Sequence, residues 1–140
     1  MSHIPYIPNA VEIVTVHDAI TADVLVADSK SCLVAGAKAI AIMLTESETV
    51  NNRSGVMTVY VSVDGGTTYI AYNALIDNVT NTNAQNLTRV GSKTRASEGS
   101  DVLFFDPATV GAITHVKVQV DITDGSAPTG AFTVELAVQY

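Results

Sequence analysis

The feature that most constrains this chain is an alternation of apolar and polar residues that recurs along its length. Val116, Val118, Val120 and Ile122 alternate with Lys117, Gln119, Asp121 and Thr123. Phe132, Val134, Leu136, Val138 and Tyr140 alternate with Thr133, Glu135, Ala137 and Gln139, and Met57, Val59, Val61 and Val63 with Thr58, Tyr60, Ser62 and Asp64. Successive side chains of a strand point to opposite faces, so a period of two turns one row to a core and leaves the other wet. A helix would scatter the same residues around its circumference. The pattern therefore calls for antiparallel sheets, each with one buried face.

Shorter segments complete the set. Residues 11–16 are β-branched, and residues 24–27, 69–72, 87–90 and 102–105 are further candidate strands, the last continuous enough to be buried on both faces. Residues 34–44 are rich in alanine, which favours helix. However, Val34, Lys38, Ile40, Ile42 and Leu44 take even positions while Ala35, Ala37, Ala39 and Ala41 take odd ones. That spacing reads as a strand with a small-residue face, suited to close packing against another sheet or subunit. Turn residues separate the segments: 51–55, 64–67, 98–101, Asp106-Pro107 and 124–130. Residues 73–100 read as one long irregular region. Eight or nine short strands without a helix predict an all-β fold, a single antiparallel β-sandwich of jelly-roll-like kind. The domain spans residues 11–140. Residues 1–10 form an extended N-terminal arm ahead of it.

Composition narrows the function classes. A chain of 140 residues suits one domain. Apolar residues make up 47% and charged residues 15%, against about 25% charged in an average domain, which excludes a disordered chain. Seven basic against 14 acidic residues give net −7, which argues against a nucleic-acid partner. The single cysteine, Cys32, leaves no internal disulfide and no multi-cysteine zinc site. The start lacks a basic-then-apolar leader, and the apolar stretch 32–44 is interrupted by Lys38 and short of the ~20 residues a membrane helix needs. The expectation is a soluble protein made in a cytoplasm, with no membrane partner. So low a charge fraction points to a surface covered by another subunit or a larger assembly.

No catalytic constellation is present, and neither an enzyme nor a cofactor is expected. His3, His17 and His115 lack metal-ligand spacing and read as isolated surface or turn residues, and Cys32 as a buried inert thiol. Asp18, Asp23 and Asp28 recur every five residues without a calcium-loop pattern and read as turn or strand-end aspartates. Arg89, Lys93 and Arg95 hold three of the seven basic residues. They serve either as a contact for an acidic partner surface or as solvated edge charges that discourage aggregation. Ile4, Pro5, Tyr6, Ile7 and Pro8 make the arm apolar and stiff. Such an arm either packs on its own domain or clamps a neighbouring subunit at low ordering cost.

Two resemblances follow from these residues. Ser62-Val63-Asp64-Gly65-Gly66-Thr67-Thr68-Tyr69 resembles the S-x-D-x-G-x-T-aromatic Asp box of sialidases and other β-propellers. That box is a hairpin turn whose Asp ties down the turn backbone while the aromatic packs beneath. One copy in a chain too short for a propeller implies a structural hairpin at Ser62, Asp64, Gly66 and Tyr69, and no sialidase activity. From residue 55 onward, SVDGGTTYIAYNALIDN and AITHVKVQVDITDGSAPTGAFTVELAVQY resemble the small jelly-roll decoration, or cement, proteins of tailed-bacteriophage heads. The turn Asp124, Gly125, Pro128, Thr129, Gly130 running into Phe132, Thr133 and Val134 carries this likeness, which covers the C-terminal three-fifths of the chain. It implies a homotrimer, made in the host cytoplasm and bound to the outer capsid surface, that stabilises the lattice of the major capsid protein. The arm and the irregular region would touch the shell. The alternative is a carbohydrate-binding or adhesion module of a tail fibre or bacterial surface, with Tyr60, Tyr69 and Tyr72 as its aromatic platform. A cupin-like hydrolase would need clustered histidines that this chain lacks.

Overall fold

The computed structural model describes residues 11–47, 54–72, 74–77, 88–90, 92–95, 98–123 and 130–140. The alternating segments form its longest ladders. Strand β4 (Ser54–Ser62) pairs antiparallel with β10 (His115–Thr123) without a break, from Ser62 opposite His115 to Ser54 opposite Thr123. Strand β11 (Phe132–Gln139) lies between β1 (Val11–Ile20) and β3 (Ala39–Glu46), and β9 (Gly99–Phe104) borders β3. The first sheet therefore runs β1-β11-β3-β9. The second sheet runs from β2 (Cys32–Leu33) through β10 and β4 to β5 (Ile70–Ala71), with β8 (Ser92–Arg95) also paired to β4. Strands β6 (Ala74–Asp77) and β7 (Thr88–Val90) pair as a separate ribbon. Through β4 the chain changes sheet with every strand, and its first and last strands end as neighbours. That is the jelly-roll arrangement, and the fold is the all-β sandwich that the alternation predicts.

The core lies between the sheets. Ile40, Ile42, Leu44, Val134, Leu136 and Val138 of the first face Met57, Val59, Val116, Val118 and Val120 of the second, all buried. Burying each such side chain contributes roughly 1.5–3 kcal/mol relative to exposure. Phe132 closes one end and lies on Gly55, where an added Cβ would stand 2.7 Å from the ring. Gly55, expected in a turn, is therefore a strand residue that makes room for an aromatic.

Other expectations need correction. The strand expected over 34–44 begins only at Ala39, because the chain turns at Gly36 with φ +85° after Val34 enters the core. Of residues 24–27 only Val24 bridges, to Val120, before a single 3-10 turn at Val26–Asp28. The open edge of β10 is covered there by side chains instead of a strand. Ser29 Oγ and His17 Nε2, at 2.7 Å for the histidine, donate to the Val118 carbonyl, and Asp23 Oδ1 accepts from Ile122 N at 2.7 Å. His17 is thus buried, not a surface residue, at a register shift between Thr15 and His17 in β1. Residues 102–105 are not buried on both faces: Leu103 and Phe105 are, whereas Val102 and Phe104 face outward from an edge strand. A short helix also occurs, α1 (Pro107–Val110). Asp106 caps it, accepting from Ala108 N at 3.0 Å, and the following proline suits a first helical turn. The region expected to be irregular, 73–100, holds β6, β7 and β8.

Candidate interaction face

The two sheets differ on their outer sides. The outer row of β10 reads His115, Lys117, Gln119, Asp121 and Thr123, and Tyr60 of β4 donates a hydrogen bond to Gln119 Oε1 at 3.1 Å. This surface is mainly polar along β10, with Leu33 exposed opposite His115 at its edge. The first sheet presents cross-strand rows of another character. One row is Ile13, Ala137, Ala41 and Phe104, and the next is Thr15, Glu135, Met43 and Val102. Val11, Gln139 and Ala39 flank them on one side, and Thr133, Thr45 and Ser100 on the other. Phe104 is 72% exposed, Ile13 61%, Val11 58% and Val102 37%. Among these residues Glu135 is the sole ionisable side chain. In the first of these rows the bulky residues stand on the edge strands and the alanines between them, and two shallow hollows lie on the face. One, of about 170 Å³, lies among Val11, Ala39, Ala41, Phe104 and Ala137. The other, of about 200 Å³, lies among Ile13, Ala41, Met43, Val102 and Ala137, with Glu135 on its wall.

The small-residue face read from the odd-numbered alanines is thus this outer surface, at Ala39 and Ala41; Ala37 is buried in the turn before the strand. Ile13, Val102 and Phe104 were not singled out by sequence reasoning. The available signal was apolar residues at both parities of β1 and β9, which in a two-layer sandwich leaves one apolar row uncovered.

The hairpin between β4 and β5 is built on Ser62 and Asp64. Ser62 Oγ donates to Asp64 Oδ1 at 2.6 Å and accepts from Gly66 N at 2.9 Å, while Asp64 Oδ1 accepts from Thr67 N and Thr68 N at 3.1 and 2.9 Å. The Ser62 hydroxyl and these amides hold the Asp64 carboxyl down at about 2. Gly65 and Gly66 both take positive φ, 75° and 88°, which a side chain would resist. Tyr69 reaches across the strand ends to hydrogen-bond Ser31 Oγ, with Lys117 Nζ 4.6 Å from its ring centroid. Every one of these groups is occupied in holding the turn.

The remaining candidates are dispersed. Arg89 falls on β7, and Lys93 and Arg95 on β8 opposite Met57 and Gly55. Ile4, Pro5, Tyr6, Ile7 and Pro8 lie outside the described residues, as do residues 124–129 of the Gly/Pro turn. The three tyrosines do not form a platform, because Tyr72 is buried and stacks on Phe105 with centroids 4.3 Å apart. Its hydroxyl accepts from Asp106 N at 2.7 Å, pinning the start of α1. Among the described residues no three His, Cys, Asp or Glu side chains are grouped to hold a metal ion, and no helix is long and apolar enough to cross a membrane. Cys32 is buried, and desolvation pushes its thiol pKa up, opposed by the nearby Lys30 charge.

No known family model matches the sequence, and no curated protein matches it. Among solved structures, the chain is similar to the SPBc2 prophage-derived protein YomS, with a TM-score of 0.57 and 17% identity over 99% of this chain and 100% of that one. The likeness extends over the whole fold.

Proposed function

We propose that this chain is a non-catalytic structural protein of a phage virion, one that binds the outer surface of the capsid and stabilises the major capsid protein lattice. The observation that carries this reading is the nearly uncharged apolar outer face of the first sheet, on a chain with net −7. A surface of that kind is made to be covered by protein, by a neighbouring copy within a virion assembly or by the shell itself. The shared fold with a prophage-derived protein supports the phage context. A binder that recognises only the assembled shell favours it by mass action, and an oligomer adds avidity through repeated attachment. The copy number implied by the decoration-protein likeness is three. The glycan-binding alternative loses its platform with the burial of Tyr72.

Co-sedimentation with shells assembled from the major capsid protein of the same genome tests the reading. The chain is expected to pellet with shells in saturable amounts and to raise their melting temperature. A chain that stays in the supernatant at every concentration, and is absent from purified virions, is not a decoration protein.

A further inference from the structure

We propose that the outer face of the first sheet, centred on Ile13, Ala137, Ala41 and Phe104, is where a second copy of this chain docks. The inference deepens the assembly reading above and rests on it for the presence of a protein partner at this face. Charge selects the occupant. Two copies of net −7 repel each other, so they can meet closely only where carboxylates have been removed, and on this face Glu135 alone remains. A basic partner would instead be matched by the acidic residues found elsewhere on the chain.

Shape points the same way. Phe104 is a protruding ring, and beside it lie hollows of about 170 and 200 Å³ floored by Ala41 and Ala137. A surface that carries both a knob and hollows can meet its own copy about a two-fold axis, which makes a pair in place of the three copies that the decoration-protein likeness implies. Four strands ~4.8 Å apart, with outward residues ~6.8 Å apart in four rows, give roughly 500 Å² per copy. A pair then buries about 1,000 Å², the lower end for a specific interface, so association should be reversible and concentration-dependent.

Sedimentation equilibrium of the full chain, with no capsid present, tests this. The mass is expected to rise above 14.6 kDa with concentration. Phe104→Lys and Ala41→Lys, which place a charge on the face, should each weaken self-association about tenfold or more, an effect on the scale of one desolvated charge. Thr58→Lys, the same charge on the outer side of the second sheet, should leave it unchanged. Should a lysine variant lose its β-sheet circular dichroism, Phe104→Ala, which only trims an exposed ring, replaces it. A monomer at every concentration, or an assembly equally stable in wild type and both face variants, overturns the inference. A monomer that still pellets with shells overturns it while leaving the virion reading standing, and loss of that pelleting in Phe104→Lys would assign the face to the shell. An assembly that depends on Phe104, from a chain absent from virions, supports it and removes the virion reading.

Discussion

Asp64 shows how one side chain sets local structure through charge. Its carboxyl is lowered from the ordinary 3.8 to about 2, first by the Ser62 hydroxyl and then by the Thr68 and Thr67 amides. A carboxylate depressed in the folded state contributes its stabilisation in full above the unfolded value and loses it as pH falls through the folded one. The window is therefore pH 4 down to 2. Asp64→Asn keeps an acceptor oxygen but no charge, so the melting-temperature gap between wild type and variant should shrink across that window. An equal gap at pH 5 and pH 2 would show that the charge does not hold the turn. Cys32 presents the opposite case, a group whose environment silences it. Burial disfavours its thiolate, and the thiolate is the reactive form. A thiol reagent at mildly alkaline pH should modify it only as fast as the chain opens, and at once in denaturant. Rapid modification of the folded protein would mean that Cys32 is reachable from solvent. The turn was legible because it uses a fixed set of residues at fixed offsets. The buried state of His17 was not, because its partner, the Val118 carbonyl, is 101 residues away.

Among the elements, those with one dry and one wet face were readable, and those at edges were not. Strands β4, β10 and β11 alternate cleanly because each has sheet neighbours on both sides and a core beneath. The second sheet's edge at β10 is finished by Ser29, His17 and Asp23, a solution with no periodic signature. Helix α1 was missed because four residues cannot show a helical period, although the Asp106-Pro107 pair announces its start. Gly55 misled because glycine before an apolar run reads as a turn, whereas its role is set by Phe132 in another strand. Gly55→Ala forces the ring aside and should cost about 1–3 kcal/mol by overpacking, read from chemical denaturation. Phe132→Leu should recover part of that loss in the double variant, because the smaller side chain frees the space. If the two changes are simply additive, the Gly55–Phe132 approach is not the source of the cost.

At the scale of the molecule, the topology makes the fold a single cooperative object. Strand β1 opens the described chain and pairs along its length with β11, the last strand, from Val11 opposite Gln139 to Ile20 opposite Phe132. Loss of β1 strips an edge from the first sheet, and loss of β11 splits that sheet between β1 and β3. Every ladder among the described residues begins at Val11 or later, so removing residues 1–10 breaks no strand pair among the described residues. Deletion of residues 1–10 should therefore preserve the β-sheet circular dichroism and the denaturation midpoint. If Ile4, Pro5, Tyr6, Ile7 and Pro8 clamp a neighbour, the same deletion lowers the apparent affinity for shells or for other copies in co-sedimentation. Substituting Ile4 and Tyr6 by serine in the full chain then reproduces that loss, because it removes apolar surface while leaving chain length unchanged. A truncated chain that melts much earlier would instead make the arm part of the domain's own packing. A truncated chain with unchanged stability and unchanged binding would leave the outer sheet face, with Phe104 at its edge, to carry assembly alone.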